Sequence, residues 1–219
     1  MNLYEYFLAQ RGRSMIKFAH YFAIYEQIFA RFRNLPVLMF EIGTGYGGSA
    51  QMWKKYFGPM AKIVTIDIID KSDIAESQIY PRRGHQADTA FLSTLIDEFG
   101  SPDIVFDDGS HQNSDIRTTF EYLFPKVSPN GVYLIEDLNT SYSAKFGGGY
   151  KHPGSFIEYT KDLIDQLNAV NANMGELKTE FSDTAYSISF FDMLISIEKR
   201  SYVNKEMMYL PPPPDSIEA

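Results

Sequence analysis

The sequence predicts an α/β fold: a mostly parallel seven-stranded sheet with helices on both faces and an antiparallel hairpin at its C-terminal end. Three observations carry this. Short apolar runs alternate with amphipathic stretches from residue 15 onward, and a glycine-rich turn, Gly43-Thr44-Gly45-Tyr46-Gly47-Gly48, leads out of the first apolar run. Two β-type runs then lie close together late in the chain. Alternation of this kind is the signature of βαβ units, because a parallel strand can be reached only through a crossover, usually a helix.

Taken in order, the large apolar residues Phe18, Phe22, Tyr25, Phe29 and Phe32 are spaced by four and three, which predicts an amphipathic helix over 15–33. Asn34 and Pro36 stop it, and Val37-Leu38-Met39-Phe40 reads as a strand buried on both faces. After the glycine turn come a helix over 49–57, a strand over 62–67, a short helix over 71–77 and a strand over 79–85. A helix over 89–99 with Phe91, Leu92, Leu95, Ile96 and Phe99 inward precedes a strand over 103–107. A helix over 114–124, with Ile116, Phe120 and Leu123 inward, is followed by the turn residues Pro129 and Asn130 and a strand over 131–136. The last elements are a helix over 155–169 and a hairpin of strands 184–190 and 193–199 about Phe191-Asp192. Residues 1–219 read as one domain, with 1–35 as an N-terminal helical cover and 205–219, including Pro211 to Pro214, as an extended tail.

The 219 residues suffice to bury about 70% of the unfolded surface in an ordinary core. With no cysteine, disulfide scaffolds, thiolate nucleophiles and iron–sulfur clusters are excluded. The net charge of −8 and the scattering of Lys and Arg argue against a nucleic-acid partner. Met1 to Gln10 carries Glu5 and lacks a basic region followed by an apolar one, and no apolar run reaches about 18 residues. A soluble cytoplasmic protein without a membrane partner is therefore expected. The 17 Phe and 15 Tyr suit an aromatic core, with some left to line a pocket.

Gly43, Gly45 and Gly48 satisfy G-x-G-x-x-G between a strand and a helix, where residues without Cβ let the backbone approach a cofactor closely. Asp67, at the end of the next strand, is placed to take ribose hydroxyls. A dinucleotide and S-adenosylmethionine (SAM) both fit this pattern, as does a plain strand-to-helix turn. Glu41 tilts it toward SAM, because a carboxylate sits well beside a cationic sulfonium and poorly beside a pyrophosphate. Gln86 and Asp88 lie where an adenine edge is expected, although Asp88 reads equally well as a helix N-cap. Asp107 is a further cofactor-side candidate.

Asp108 and the pair Glu136-Asp137 close two apolar strands at the carboxyl edge of the sheet. On neighbouring strands about 4.8 Å apart they can converge, and a divalent cation would relieve their repulsion. All-oxygen ligation selects a hard ion such as Mg²⁺. Each acid taken alone also reads as a cap or turn former. His111, three residues beyond Asp108, suits a general base acting on a hydroxyl.

Glu41-Ile-Gly-Thr-Gly-Tyr-Gly-Gly-Ser-Ala-Gln-Met-Trp53, Asp67-Ile-Ile-Asp-Lys71, Asp103-Ile-Val-Phe-Asp-Asp-Gly-Ser-His111 and Ile135-Glu-Asp137 resemble the metal- and SAM-dependent macrolide sugar O-methyltransferases of the mycinamicin-biosynthesis type, over their catalytic domain. The likeness runs from about Tyr21 to Lys199. It implies a class I SAM-methyltransferase (Rossmann-like) fold, Asp108, Glu136 and Asp137 as Mg²⁺ ligands, His111 as base, and SAM on the glycine loop and Asp67. It also implies that the loop Tyr142 to Gly148 helps close over methyl donor and acceptor, with Tyr142 and Phe146 on the substrate side. The function so implied is O-methylation of a sugar-like or polyol small molecule in natural-product biosynthesis. A catechol-type O-methyltransferase, a SAM-binding module without turnover and a nicotinamide oxidoreductase are the alternatives, and homo-oligomer formation is left open.

Overall fold

A computed structural model describes residues 1–201 of the chain. The elements are α1 (Leu3–Ala9), α2 (Tyr21–Phe29), β1 (Leu38–Ile42), α3 (Gly48–Phe57), β2 (Lys62–Asp67), β3 (Ile79–Arg83), α4 (Thr89–Phe99), β4 (Ile104–Asp107), α5 (Asn113–Leu123), β5 (Val132–Ile135), α6 (Phe156–Asn168), α7 (Glu180–Thr184), β6 (Ala185–Phe191) and β7 (Leu194–Lys199). The seven strands form one sheet in the order β3-β2-β1-β4-β5-β7-β6, parallel except for β7, which is antiparallel to both β5 and β6. The mostly parallel seven-stranded sheet with its C-terminal hairpin is thus observed as expected.

Strand side chains alternate between two aromatic-rich cores. On one face Met39, Ile63, Phe106 and Leu134 pack against Tyr25 and Phe29 of α2 and Trp53 and Phe57 of α3. On the other, Phe40, Val64, Val105 and Tyr133 pack against Leu95 of α4, Phe120 of α5 and Phe156 of α6. Burial on both faces explains why β1, β4 and β5 read as unbroken apolar runs.

The N-terminal cover differs from the expectation in detail. A first helix, α1, is closed by a capping box in which Asn2 and Glu5 exchange side-chain to backbone hydrogen bonds. The second helix starts at Tyr21 rather than at residue 15, and Phe18 is half exposed instead of inward. Between them, 11–18 runs without helix, because tertiary bonds hold it open: Arg13 N–H donates to Gln51 Oε1, and Ser14 O accepts from Gly48 N–H. The expected short helix over 71–77 is a single 3₁₀ turn at Ser72–Ile74, and the strand expected over 79–85 ends at Arg83. The hairpin turns at Asp192-Met193, one residue later than predicted, with Met193 left-handed at φ 66°. The Pro-rich tail lies outside the described residues. Among the described residues no helix is long and apolar enough to cross a membrane.

Candidate active site

Strand order reverses between β1 and β4, and ligands of open α/β sheets bind outside the carboxyl ends of the strands at such a switch point. Register brings the site together. Ile42 lies opposite Asp107 and Asp107 opposite Ile135, so Gly43, Asp108 and Glu136 are the next residues along three adjacent strands. Asp108 N–H donates to Ile42 O at 2.9 Å, and Glu136 N–H to Asp107 O at 2.9 Å, which carries the ladder past the strand ends.

The glycines have distinct tasks. Gly43 has φ +88°, and a Cβ there would stand 1.9 Å from the backbone oxygen of Asp108. Gly45 has φ +53° and nothing near its missing Cβ, so it faces open space. Gly48 instead packs against the Ser14 backbone, where a Cβ would meet Ser14 O at 2.4 Å. Two cavities share Gly43. One, of about 250 Å³, is lined by Asp67, Ile68, Gly84, His85 and Gln86 among others. The second, of about 190 Å³, is lined by Ser14, Lys17, Gly45, Tyr46, Ser49 and Asp108 among others.

Glu41 lies buried beneath the loop. Trp53 Nε1 donates to its Oε1 at 3.0 Å, and burial pushes its carboxyl up to about 7 against the opposing pull of Ser49, Lys17 and Trp53. Asp67, half-buried, accepts from Ile69 N–H at 2.9 Å while lining the larger cavity. Gln86 also lines that cavity, but its amide is committed internally: Nε2 donates to Asp107 and Oε1 accepts from Ser110 N–H at 2.6 Å. Asp107 is buried, accepts from Gln86 and Gly109 N–H, and is pushed up to about 7 by that burial. Asp88 caps α4 by accepting from the N–H groups of Ala90 and Phe91, both at 3.0 Å. It is absent from the lining of both cavities.

The acid cluster forms around His111. One ligand atom each of Asp108, His111 and Asp137 lie within 4.8 Å of one another, with His111 Nε2 3.7 Å from Asp108 Oδ1 and 3.8 Å from Asp137 Oδ2. Both His111 (φ 57°) and Asp137 (φ 56°) hold left-handed backbone, a strained conformation for residues with a Cβ. Glu136, fully buried, stands outside this compact group. Its Oε2 accepts from Lys17 Nζ at 2.6 Å, the same ammonium that donates to Asp108 Oδ2 at 2.5 Å, and its Oε1 is buried without a partner. Burial alone would lower the Lys17 pKa, yet Glu136 and Asp108 more than offset it, so the lysine is held charged. Tyr21 OH donates to Asp137 Oδ1 at 2.6 Å.

The carboxylate oxygens of Asp108, Asp137 and Glu136 fit a hard divalent cation, and the unpartnered buried oxygen of Glu136 is one such a cation would satisfy. Of the two loop residues, Phe146 lies edge-on to His111 with ring centroids 6.5 Å apart. Tyr142 instead lines a separate cavity of about 360 Å³ with Asn139, Asp192 and Met193. Asn113 anchors this loop from within: its Nδ2 donates to Phe146 O, and its Oδ1 accepts from Ser141 Oγ and Phe156 N–H. Lys17, Tyr21 and Asn113 were not legible as site residues. Lys17 and Tyr21 lie within 15–33, where the apolar spacing predicts one continuous helix, and Asn113 belongs to no motif.

Residues 40–138 match a family described as a methyltransferase domain. The chain is 38% identical over 191 residues to the 8-demethyl-8-alpha-L-rhamnosyl tetracenomycin-C 2'-O-methyltransferase of Streptomyces olivaceus, covering 83% of this chain and 50% of the relative. It is 41% identical over 161 residues to the mycinamicin VI 2''-O-methyltransferase of Micromonospora griseorubida, covering 68% of this chain and 40% of the relative. In structure it matches the mycinamycin-pathway methyltransferase MycE, solved in complex with Mg, SAH and mycinamycin VI. That match has a TM-score of 0.76 at 35% identity over 84% of this chain and 50% of the other. The chain thus spans half the length or less of these relatives. What it resembles is the methyltransferase catalytic domain of sugar O-methyltransferases.

Proposed function

We propose that this chain carries the catalytic unit of a SAM- and divalent-cation-dependent O-methyltransferase acting on a hydroxyl of a sugar-like small molecule. The observation that supports it most is the convergence of Asp108, His111 and Asp137 beside the cavity walled by Gly43 and Gly45. The relatives named for 2'- and 2''-O-methylation of glycosylated polyketides point to the same acceptor class. The proposal includes a cytoplasmic setting and a small-molecule acceptor rather than nucleic acid, in keeping with the net charge of −8.

In this reading Asp67 takes the ribose hydroxyls, the backbone of Gly43 to Gly45 borders the methyl donor, and Asp108, Asp137 and Glu136 hold the cation. When bound, the cation would orient two neighbouring acceptor oxygens and lower the pKa of the hydroxyl to be methylated. His111 Nε2 takes the hydroxyl proton, and the flanking carboxylates of Asp108 and Asp137 stabilise the imidazolium that forms. The oxygen lone pair forms the new bond to the methyl carbon while the carbon–sulfur bond breaks, leaving the neutral thioether. Phe146, beside His111, helps exclude water, and the chain's main contribution is orientation of two bound reactants.

Isothermal titration with SAM and with its demethylated product tests the cofactor, and absence of binding by both would defeat the reading. His111→Ala should abolish turnover of a glycoside acceptor while leaving SAM affinity nearly unchanged. A large loss of SAM affinity would instead assign His111 a structural role.

A further inference from the structure

Residues 11–18 form an extended strap across the carboxyl edge of the sheet. Along it Arg13, Met15 and Lys17 are the more buried positions, while Ser14, Ile16 and Phe18 are exposed. Arg13 is tied to Glu76 at 3.3 Å near one end, and Lys17 reaches the acid cluster at the other. The Lys17 side chain is only 3% exposed, and its ammonium stands 2.5 and 2.6 Å from Asp108 Oδ2 and Glu136 Oε2. Ser14, Met15, Ile16 and Lys17 also line the cavity walled by Gly43 to Tyr46.

We propose that Lys17 is a built-in counter-ion that the divalent cation displaces from Asp108 and Glu136, so that metal loading loosens the strap over the cofactor cavity. This rests on the metal reading above. A divalent cation binds carboxylate oxygens at about 2.1 Å, so an ammonium on the same two carboxylates would stand only a few ångströms from it, two like charges in a poorly solvated site. Removal of either cation leaves buried carboxylates for the other to neutralise, so the two compete. Competition also accounts for the contacts of Glu136: Lys17 Nζ bridges its Oε2 to Asp108 Oδ2, the bridging place between two ligands that a divalent cation would take. The strap can yield at its Lys17 end: Arg13 is held by Gln51 and Glu76 and Ser14 O by Gly48 N–H at 3.2 Å, but among the described residues no backbone hydrogen bond joins residues 15–17 to the sheet-bearing body.

Mn²⁺ serves as the probe. Titration calorimetry on the wild type and on Lys17→Met should show the variant binding Mn²⁺ at least about tenfold more tightly, because it lacks the competitor. Lys17→Arg, which keeps the charge, should bind no more tightly than wild type. Trypsin supplies a readout that does not depend on a variant's folding. A buried Lys17 cannot enter the protease, so the Lys17-Phe18 bond of the wild type should be cut faster with Mn²⁺ than without it. Unchanged or weaker Mn²⁺ binding by Lys17→Met, or slower cutting at Lys17 on adding Mn²⁺, would overturn the counter-ion role. Absence of Mn²⁺ binding by both wild type and Lys17→Met would instead defeat the metal reading on which it rests.

Discussion

Replacing Gly43 by alanine should damage this protein more than the same change at Gly45, although both glycines belong to one turn. Both hold positive φ, +88° and +53°, so each alanine carries a left-handed strain of about 1–2 kcal/mol. At Gly45 nothing lies within 4 Å of the new Cβ, and the strain is the whole cost. At Gly43 the Cβ would stand 1.9 Å from Asp108 O and 2.6 Å from Asp108 C, so backbone must move, adding about 1–3 kcal/mol as in an overpacked core. The sum is about 2–5 kcal/mol. For a chain of this size that lowers the melting temperature by roughly 4–20 °C, against roughly 2–8 °C for Gly45→Ala. The shift also drags Asp108, so Gly43→Ala should weaken both SAM and Mn²⁺ binding, whereas Gly45→Ala should weaken SAM binding alone. Thermal melts paired with calorimetric titrations read both effects. If Gly43→Ala melts within 2 °C of wild type, or if the two variants are equally destabilised, the assigned close approach of β1 to the Asp108 backbone is wrong.

Glu41 gives a pH dependence to the metal-free, cofactor-free protein. Its folded pKa, raised to about 7, lies above its ordinary value, so its contribution is fully present below about pH 4.5 and is lost as pH rises through 7. Glu41→Gln should flatten the fall in stability between those limits by an amount on the order of 3 kcal/mol, and urea titrations at pH 5 and pH 8 giving equal slopes for both proteins would contradict this. Tyr21→Phe frees the Asp137 Oδ1 oxygen and should lower Mn²⁺ affinity about tenfold while costing only about 1 kcal/mol of stability. Unchanged calorimetric affinity would remove Tyr21 from the site. Asp88→Ala should cost about 1 kcal/mol through the lost cap on α4 and leave SAM affinity unchanged; a clear loss of affinity would restore Asp88 to the cofactor side.

The parts legible in the sequence are those that local chemistry decides. Unbroken apolar runs gave away strands buried on both faces, and the acids ending β4 and β5 could be placed together because parallel register is inherited from strand order. The strap was illegible for the opposite reason. Phe18 fits the four-and-three spacing of α2, but the helix has no side-chain cap at His20, and the segment before it is held extended by partners far away in the chain: Gln51, Gly48, Asp108 and Glu136. Such bonds leave no local pattern, so a basic residue that looked like one of many scattered surface charges became the most deeply engaged cation in the site. Its charge also separates it from Tyr21. Both side chains grip an oxygen of a candidate metal ligand, yet the neutral phenol can only orient Asp137, whereas the ammonium neutralises what it orients. Removing the first should loosen metal binding and removing the second should tighten it, so opposite signs from two neighbouring contacts would distinguish positioning from competition within one cluster.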